Sequence, residues 1–178
     1  MSERSERTGT VNGSVAVVVG NPKPGSRTLD AATYVARQLA GRDPDLVIDL
    51  AALGAAVLDW SDPEVAGLVD QVGKAGLVVV ASPTYKGTYT GLLKLFLDRF
   101  AGGTGLTGLA VPLLLGGSAA HSMAPELTLR PVLTEIGATV PGRGLFVIDT
   151  HYDDESVYTE WLTATRPIVT ALLKRELS

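Results

Sequence analysis

The chain has 178 residues, 46% hydrophobic and 19% charged, a balance that suits one globular domain with a sizeable core. Its 15 lysines and arginines against 19 carboxylates leave a formal net charge of −4 with no basic run, which argues against a nucleic-acid partner. Cysteine is absent, so disulfides, thiolate metal sites and cysteine nucleophiles are excluded.

Residues 1–13 are polar, carry mixed charge and lack the apolar core of a signal peptide, so they read as a flexible tail ahead of one domain over 14–178. No apolar run reaches the ~20 residues of a membrane helix, and the expectation is a soluble cytoplasmic protein without a membrane partner. Val15 to Val19 is a β-branched run bounded by glycines, the pattern of a buried strand. Gly20 to Arg27 is a loop with two prolines and two glycines. Thr28 to Ala40 reads as a helix with Leu29, Ala32, Ala36 and Leu39 on one stripe, closed by Gly41. Leu46 to Leu50 is a second strand, and Ala51 to Trp60 shows no clear period and reads as irregular.

Asp62-Pro63 opens a helix to about Gly73, with proline at its first position and acids in its first turn. Leu77 to Ala81 is strand three, Gly91 to Ala101 a helix and Leu109 to Leu115 strand four. Ser122 to Ile136 reads as a helix with a proline inside it, Gly144 to Ile148 as strand five, and Val157 to Leu177 as a closing helix that Pro167 can break. Strands alternating with helices imply a parallel sheet covered on both faces, a three-layer α/β sandwich. Right-handed crossovers leave few topologies, and the flavodoxin-like order 2-1-3-4-5 fits five strands. Its switch point lies between strands one and three, and ligands of such sheets bind outside the carboxyl ends there.

Three loops at that edge carry the chemistry. The first, Gly20 to Thr28, matches neither the dinucleotide glycine spacing nor a Walker A loop. It sets Ser26, Arg27 and Thr28 at a helix N-terminus, where free amides and the macrodipole favour a phosphate. An ordinary N-cap by Ser26 or Thr28 is an equally weighted alternative. The second, from Ser82, supplies Pro83, two tyrosines (Tyr85 and Tyr89), Lys86 and Gly87, a surface for the face and polar edge of a flat ring. A plain turn with exposed tyrosines is the competing reading. The third, Gly116 to His121, has paired glycines that admit close backbone approach, though a flexible turn explains them as well. His121 is more simply a surface or capping residue than a ligand contact. His151, beside Tyr152, Asp153 and Asp154, lies in what reads as a solvated loop without metal-ligand spacing. No catalytic triad, serine elbow or carboxylate pair appears, so no side chain is singled out as catalytic and the bound ligand is expected to carry the chemistry.

Taken together, Gly20-Asn21-Pro22 with Ser26-Arg27-Thr28, and Ser82-Pro83-Thr84-Tyr85-Lys86-Gly87 with Tyr89-Thr90-Gly91-Leu92-Leu93-Lys94, resemble the NAD(P)H-dependent FMN reductases. Gly116-Gly117-Ser118, His121 and Leu129-Arg130-Pro131-Val132-Leu133 are similar to a later segment of that family. The resemblance is strongest to reductases that supply reduced flavin to sulfonate monooxygenases, and it covers nearly the whole chain after the tail. It implies FMN as ligand and NADPH or NADH as reductant. It further implies a phosphate site at Asn21, Ser26, Arg27 and Thr28, ring contacts from Pro83, Thr84, Tyr85, Lys86 and Gly87, and Gly117, Ser118 and His121 nearby.

Some two-component reductases carry an aromatic residue in the helix after the third loop, and Pro125-Glu126-Leu127-Thr128-Leu129 here has none. Three readings therefore stay open. The chain reduces FMN as an exchangeable substrate for a monooxygenase, or it holds FMN permanently and reduces quinones, azo compounds or metal ions. In the third it is a flavodoxin-like electron carrier, a class that tends to be more acidic than −4. The resemblance also implies a homodimer or homotetramer. The run Leu92, Leu93, Leu95, Phe96, Leu97 and Phe100 makes a helix apolar almost all round, expected to be buried by the sheet and by a partner subunit, or else by the closing helix. Pro131 either kinks its helix or marks where one helix ends and the next begins.

Overall fold

A run of small and β-branched side chains, all buried, makes Val15–Val19 (β1) an interior strand of the sheet, and the computed structural model describes residues 13–175. The tail expected over 1–13 lies, except for Gly13, outside the described residues. Strands Leu46–Asp49 (β2), Leu77–Pro83 (β3), Leu109–Gly116 (β4) and Leu145–Ile148 (β5) join β1 in one parallel sheet of order β2-β1-β3-β4-β5. This is the expected flavodoxin-like topology.

Because side chains alternate across a strand, Val15, Val17 and Val19 face one layer and Ala16 and Val18 the other. The first layer is Arg27–Ala40 (α1) with the closing helix. The second is Pro63–Gly73 (α3), Gly91–Leu97 (α4) and Arg130–Glu135 (α5). No helix among the described residues is long and apolar enough to cross a membrane.

Four expectations are corrected. Strand two ends at Asp49, whose carboxylate accepts from the Ala51 amide and caps a short helix, Leu50–Leu53 (α2), with a 3-10 turn over Gly54–Leu58. The stretch read as irregular is thus ordered, anchored by the fully buried Leu50. Helix α4 stops at Leu97, after which Arg99 and Phe100 bond three residues back in a tighter turn.

The helix expected over Ser122–Ile136 is two pieces, a π-type turn at Pro125–Leu129 and α5, with a 3-10 turn at Ala119–His121 ahead of them. Pro131 falls in the first turn of α5, where a missing amide costs nothing, and the Arg130 amide reaches back five residues to the Pro125 carbonyl. Finally, Ser156–Arg175 (α6) runs unbroken through Pro167. Pro167 and Thr163, whose carbonyl loses its donor, are both exposed, so the missing bond falls on the solvent side of the helix.

Candidate functional site

The loops after β1 and β3 are locked together at the switch point. Gly20 donates its amide to the Ala81 carbonyl at 2.8 Å and accepts the Thr90 hydroxyl at 2.5 Å. A Cβ on Gly20 would stand 2.3 Å from Leu93 Cβ and 2.9 Å from Leu93 Cα, so only glycine allows α4 this close. Thr90 also caps α4 through the Leu93 amide and donates its own amide to Ser82 Oγ at 3.0 Å. Ser82 and Thr90, both buried, therefore hold the second loop against the first.

Within the first loop, Asn21 accepts the Lys23 amide at 2.9 Å and donates from Nδ2 to Thr28 Oγ1 at 3.1 Å, which leaves the Thr28 hydroxyl proton free to donate. Gly25 turns the chain with φ 58 and donates its amide to Asp49 Oδ2 at 2.9 Å. Ser26 then caps α1, accepting from the Leu29 amide at 3.3 Å. Amides at the start of α1 have no partner four residues back and face the loop side, the usual setting for an anion.

In the second loop Thr84 donates its amide to the Leu115 carbonyl at 2.6 Å, extending the β3–β4 ladder by one step. Tyr85 and Thr88 then exchange backbone hydrogen bonds around Lys86 (φ 55) and Gly87 (φ 82), a two-residue hairpin turn with both central residues left-handed. The turn leaves the Tyr85 ring 54% exposed at the rim. In the third loop Gly116 has no room for a side chain, since a Cβ would sit 2.8 Å from the Phe146 ring, whereas Gly117 faces open space.

These loops enclose a cleft of about 420 Å³. The structure brings Asn21, Ser26, Arg27, Thr28, Pro83, Thr84, Tyr85 and Gly117 of the expected set to its lining. Lys86, Gly87, Ser118 and His121 do not line it. Lys86 and Gly87 form the hairpin tip, and Ser118 caps the exposed 3-10 turn that contains His121.

Sequence reasoning missed the fourth wall. Asp149 and Tyr152, from the loop between β5 and α6, line the cleft with Lys23, Gly25 and Asp30. Arg27 Nη1 lies 3.5 Å from the Asp149 carbonyl and 3.9 Å from Asp149 Oδ2, with its guanidinium carbon 5.7 Å from the Tyr152 ring centre. The Tyr158 hydroxyl donates to the Tyr152 carbonyl at 2.6 Å and pins the loop. Burial pushes that phenol up to about 12, so it remains a donor at neutral pH. The available signal was topological: α6 packs on α1, which brings the loop before α6 to the α1 N-terminus.

The cleft offers anion-binding amides and hydroxyls at one end and backbone edges beside Thr84, Leu115 and Gly117 at the other. Behind its wall, Thr84 Oγ1 is closed off from solvent and has no hydrogen-bond partner among the described residues. The start of α1 with Ser26, Arg27 and Thr28, and the open backbone at Gly117, fit a phosphate joined to a flat ring. No histidine lines the cleft among the described residues.

The family model for NADPH-dependent FMN reductases matches residues 14–153. An FMN reductase (NADPH) of Pseudomonas aeruginosa is 32% identical over 161 residues, 84% of each chain. One of Escherichia coli (strain K12) is 27% identical over 175 residues, 92% of each chain. Among solved structures, an NADH:FMN oxidoreductase in its apo form superposes with a TM-score of 0.80 at 30% identity, covering 90% of each chain.

Proposed function

Because the chain belongs to the NADPH-dependent FMN reductase family, it is an oxidoreductase that uses NAD(P)H to reduce FMN, and we propose that the cleft above is where that FMN binds. The carrying observation is the start of α1, where Ser26, Arg27 and Thr28 meet the second and third loops in one cleft. In this reading the phosphate sits against Ser26, Arg27 and Thr28, with Asn21 orienting the Thr28 hydroxyl. Pro83, Thr84, Tyr85 and Gly117 flank the ring, while Lys86 and Gly87 at the hairpin tip and Ser118 and His121 at the 3-10 turn lie outside the lining.

Bound flavin supplies the redox chemistry, accepting a hydride from the reduced pyridine nucleotide. The protein's share is to fix the ring by backbone donors and leave one face open, and positioning of this kind can lower a barrier by as much as ~7–11 kcal/mol. The Arg27 side chain is 57% exposed, so the phosphate end opens to solvent, which supports FMN as an exchangeable substrate. On that basis the single domain over 14–178 works in the cytoplasm and hands reduced FMN to a flavin-dependent monooxygenase.

The outward face of α4 supports a homo-oligomer. Leu95 is 38% exposed there, and α6 packs against α1 on the opposite face of the sheet, so it does not cover α4. The deciding experiment mixes the protein anaerobically with NADPH or NADH, with and without added FMN. Bleaching that needs added FMN and follows sequential kinetics is expected. A yellow purified protein with ping-pong kinetics selects the prosthetic-group reading, and failure to oxidise either nucleotide selects the electron carrier.

A further inference from the structure

We propose that Asp149 lowers the affinity of the cleft for FMN by competing with the flavin phosphate for the Arg27 guanidinium, and so keeps the flavin exchangeable. The inference rests on the phosphate-site reading given above and concerns a residue from the wall that the first three loops do not supply.

Arg27 is the first residue of α1, and its side chain crosses to the loop after β5 rather than pointing along its own helix. There it meets Asp149 slackly, at 3.5 Å to the carbonyl and 3.9 Å to the carboxylate, with the Tyr152 ring alongside. Contacts this long hold the guanidinium in place without satisfying its donors. A phosphate at the α1 N-terminus offers shorter, bidentate bonds and takes it over.

The loop backbone does not depend on Arg27 for its position. The buried Tyr158 hydroxyl fixes the Tyr152 carbonyl at 2.6 Å, and Asp154 caps the start of α6 through the Ser156 amide at 2.9 Å. The Asp149 backbone is thus held at the mouth of the cleft when a phosphate arrives. Lining charges Lys23 and Arg27 are matched by Asp30 and Asp149, so a dianion enters a site of no net charge. Without Asp149 the site carries one net positive charge and a guanidinium with no carboxylate rival. Asp30 faces the same cleft from α1 but makes no ion pair with Arg27, which makes it the control.

The test compares Asp149→Asn, Asp30→Asn and Arg27→Ala with the unmodified chain, each checked for folding by circular dichroism. Dissociation constants for FMN and for riboflavin, which has the same ring and no phosphate, are read from flavin fluorescence quenching. Asp149→Asn is expected to tighten FMN roughly three- to fivefold, the scale of an exposed charge pair, and to leave riboflavin unchanged. The gain shrinks at about 0.5 M salt, where the Debye length falls to a few ångströms. Unchanged or weaker FMN binding in Asp149→Asn overturns the inference, as does equal tightening of riboflavin or equal tightening by Asp30→Asn. If Arg27→Ala leaves the ratio of FMN to riboflavin affinity untouched, the phosphate-site reading itself fails, whatever Asp149 does.

Discussion

Thr84 has two jobs that pull in opposite directions. Its amide extends the sheet by bonding Leu115, while its buried hydroxyl finds no partner among the described residues. A buried hydroxyl left unpaired costs about 1–3 kcal/mol, and one paired to a ligand returns part of that. Thr84→Val keeps the shape and removes the hydroxyl. The free protein is therefore expected to gain up to about 1 kcal/mol in urea unfolding. FMN affinity is expected to stay within about threefold, because the hydroxyl is closed off from the cleft. A larger fall in FMN affinity with stability unchanged would show that the hydroxyl turns toward the flavin on binding. The two readouts need each other, since packing damage alone would lower stability first.

At the scale of elements, the sheet begins at a staple between β1 and the start of β2. The Val15 amide donates to Asp45 Oδ2 at 2.7 Å, the Asp45 amide donates to the Val15 carbonyl at 2.8 Å, and Arg42 pairs with Asp45 Oδ1 at 2.8 Å. The Val15 amide first, and Arg42 second, hold the Asp45 carboxyl below the usual carboxylate range. A carboxyl that binds its proton less readily folded than unfolded stabilises the fold above the unfolded value of about 3.9, and this is lost as pH falls through the lower folded value.

Asp45→Asn is accordingly expected to cost about 1 kcal/mol or less at pH 7, discounted because the carboxylate is half exposed, and progressively less below about pH 4. Urea titrations at a series of pH values check this, and a cost that grows on acidification would refute it. The strands that such staples align were legible in the sequence, because Val15–Val19 and Leu109–Leu115 are apolar runs that only a two-faced burial explains. The first two loops were legible too, through their hydroxyls, glycines and Pro83. The fourth wall was not: Asp149 and Tyr152 have no local signature and gain their place only when α6 docks on α1. The Ser122–Ile136 region misled for a related reason, since its apolar pattern is helical while Pro125 and Pro131 divide its hydrogen bonding into separate turns.

The whole molecule is lopsided in its covering layers. Helix α6 closes the layer over α1, whereas the layer containing α4 ends in side chains that face outward. Leu95 on α4 is 38% exposed, Leu58 in the turn that packs beside α4 is 62% exposed, and Trp60, stacked under Arg99 at 5.5 Å, is 68% exposed. Scattered exposed apolar residues need no explanation, but three on neighbouring elements over one face suit a subunit contact. The closing helix, which was the alternative cover, lies on the other face. A second copy meeting this one about a two-fold axis would bury the same face twice. Leu95→Glu puts two carboxylates into that contact, where they repel each other and lose water. The native chain is expected to run as a dimer or larger by light scattering, and Leu95→Glu as a monomer with the same circular dichroism spectrum. Because the cleft is assembled from loops of one chain, the monomeric variant should still bind FMN. A variant that stays oligomeric moves the contact away from α4. One that becomes monomeric and loses FMN makes the contact part of the site.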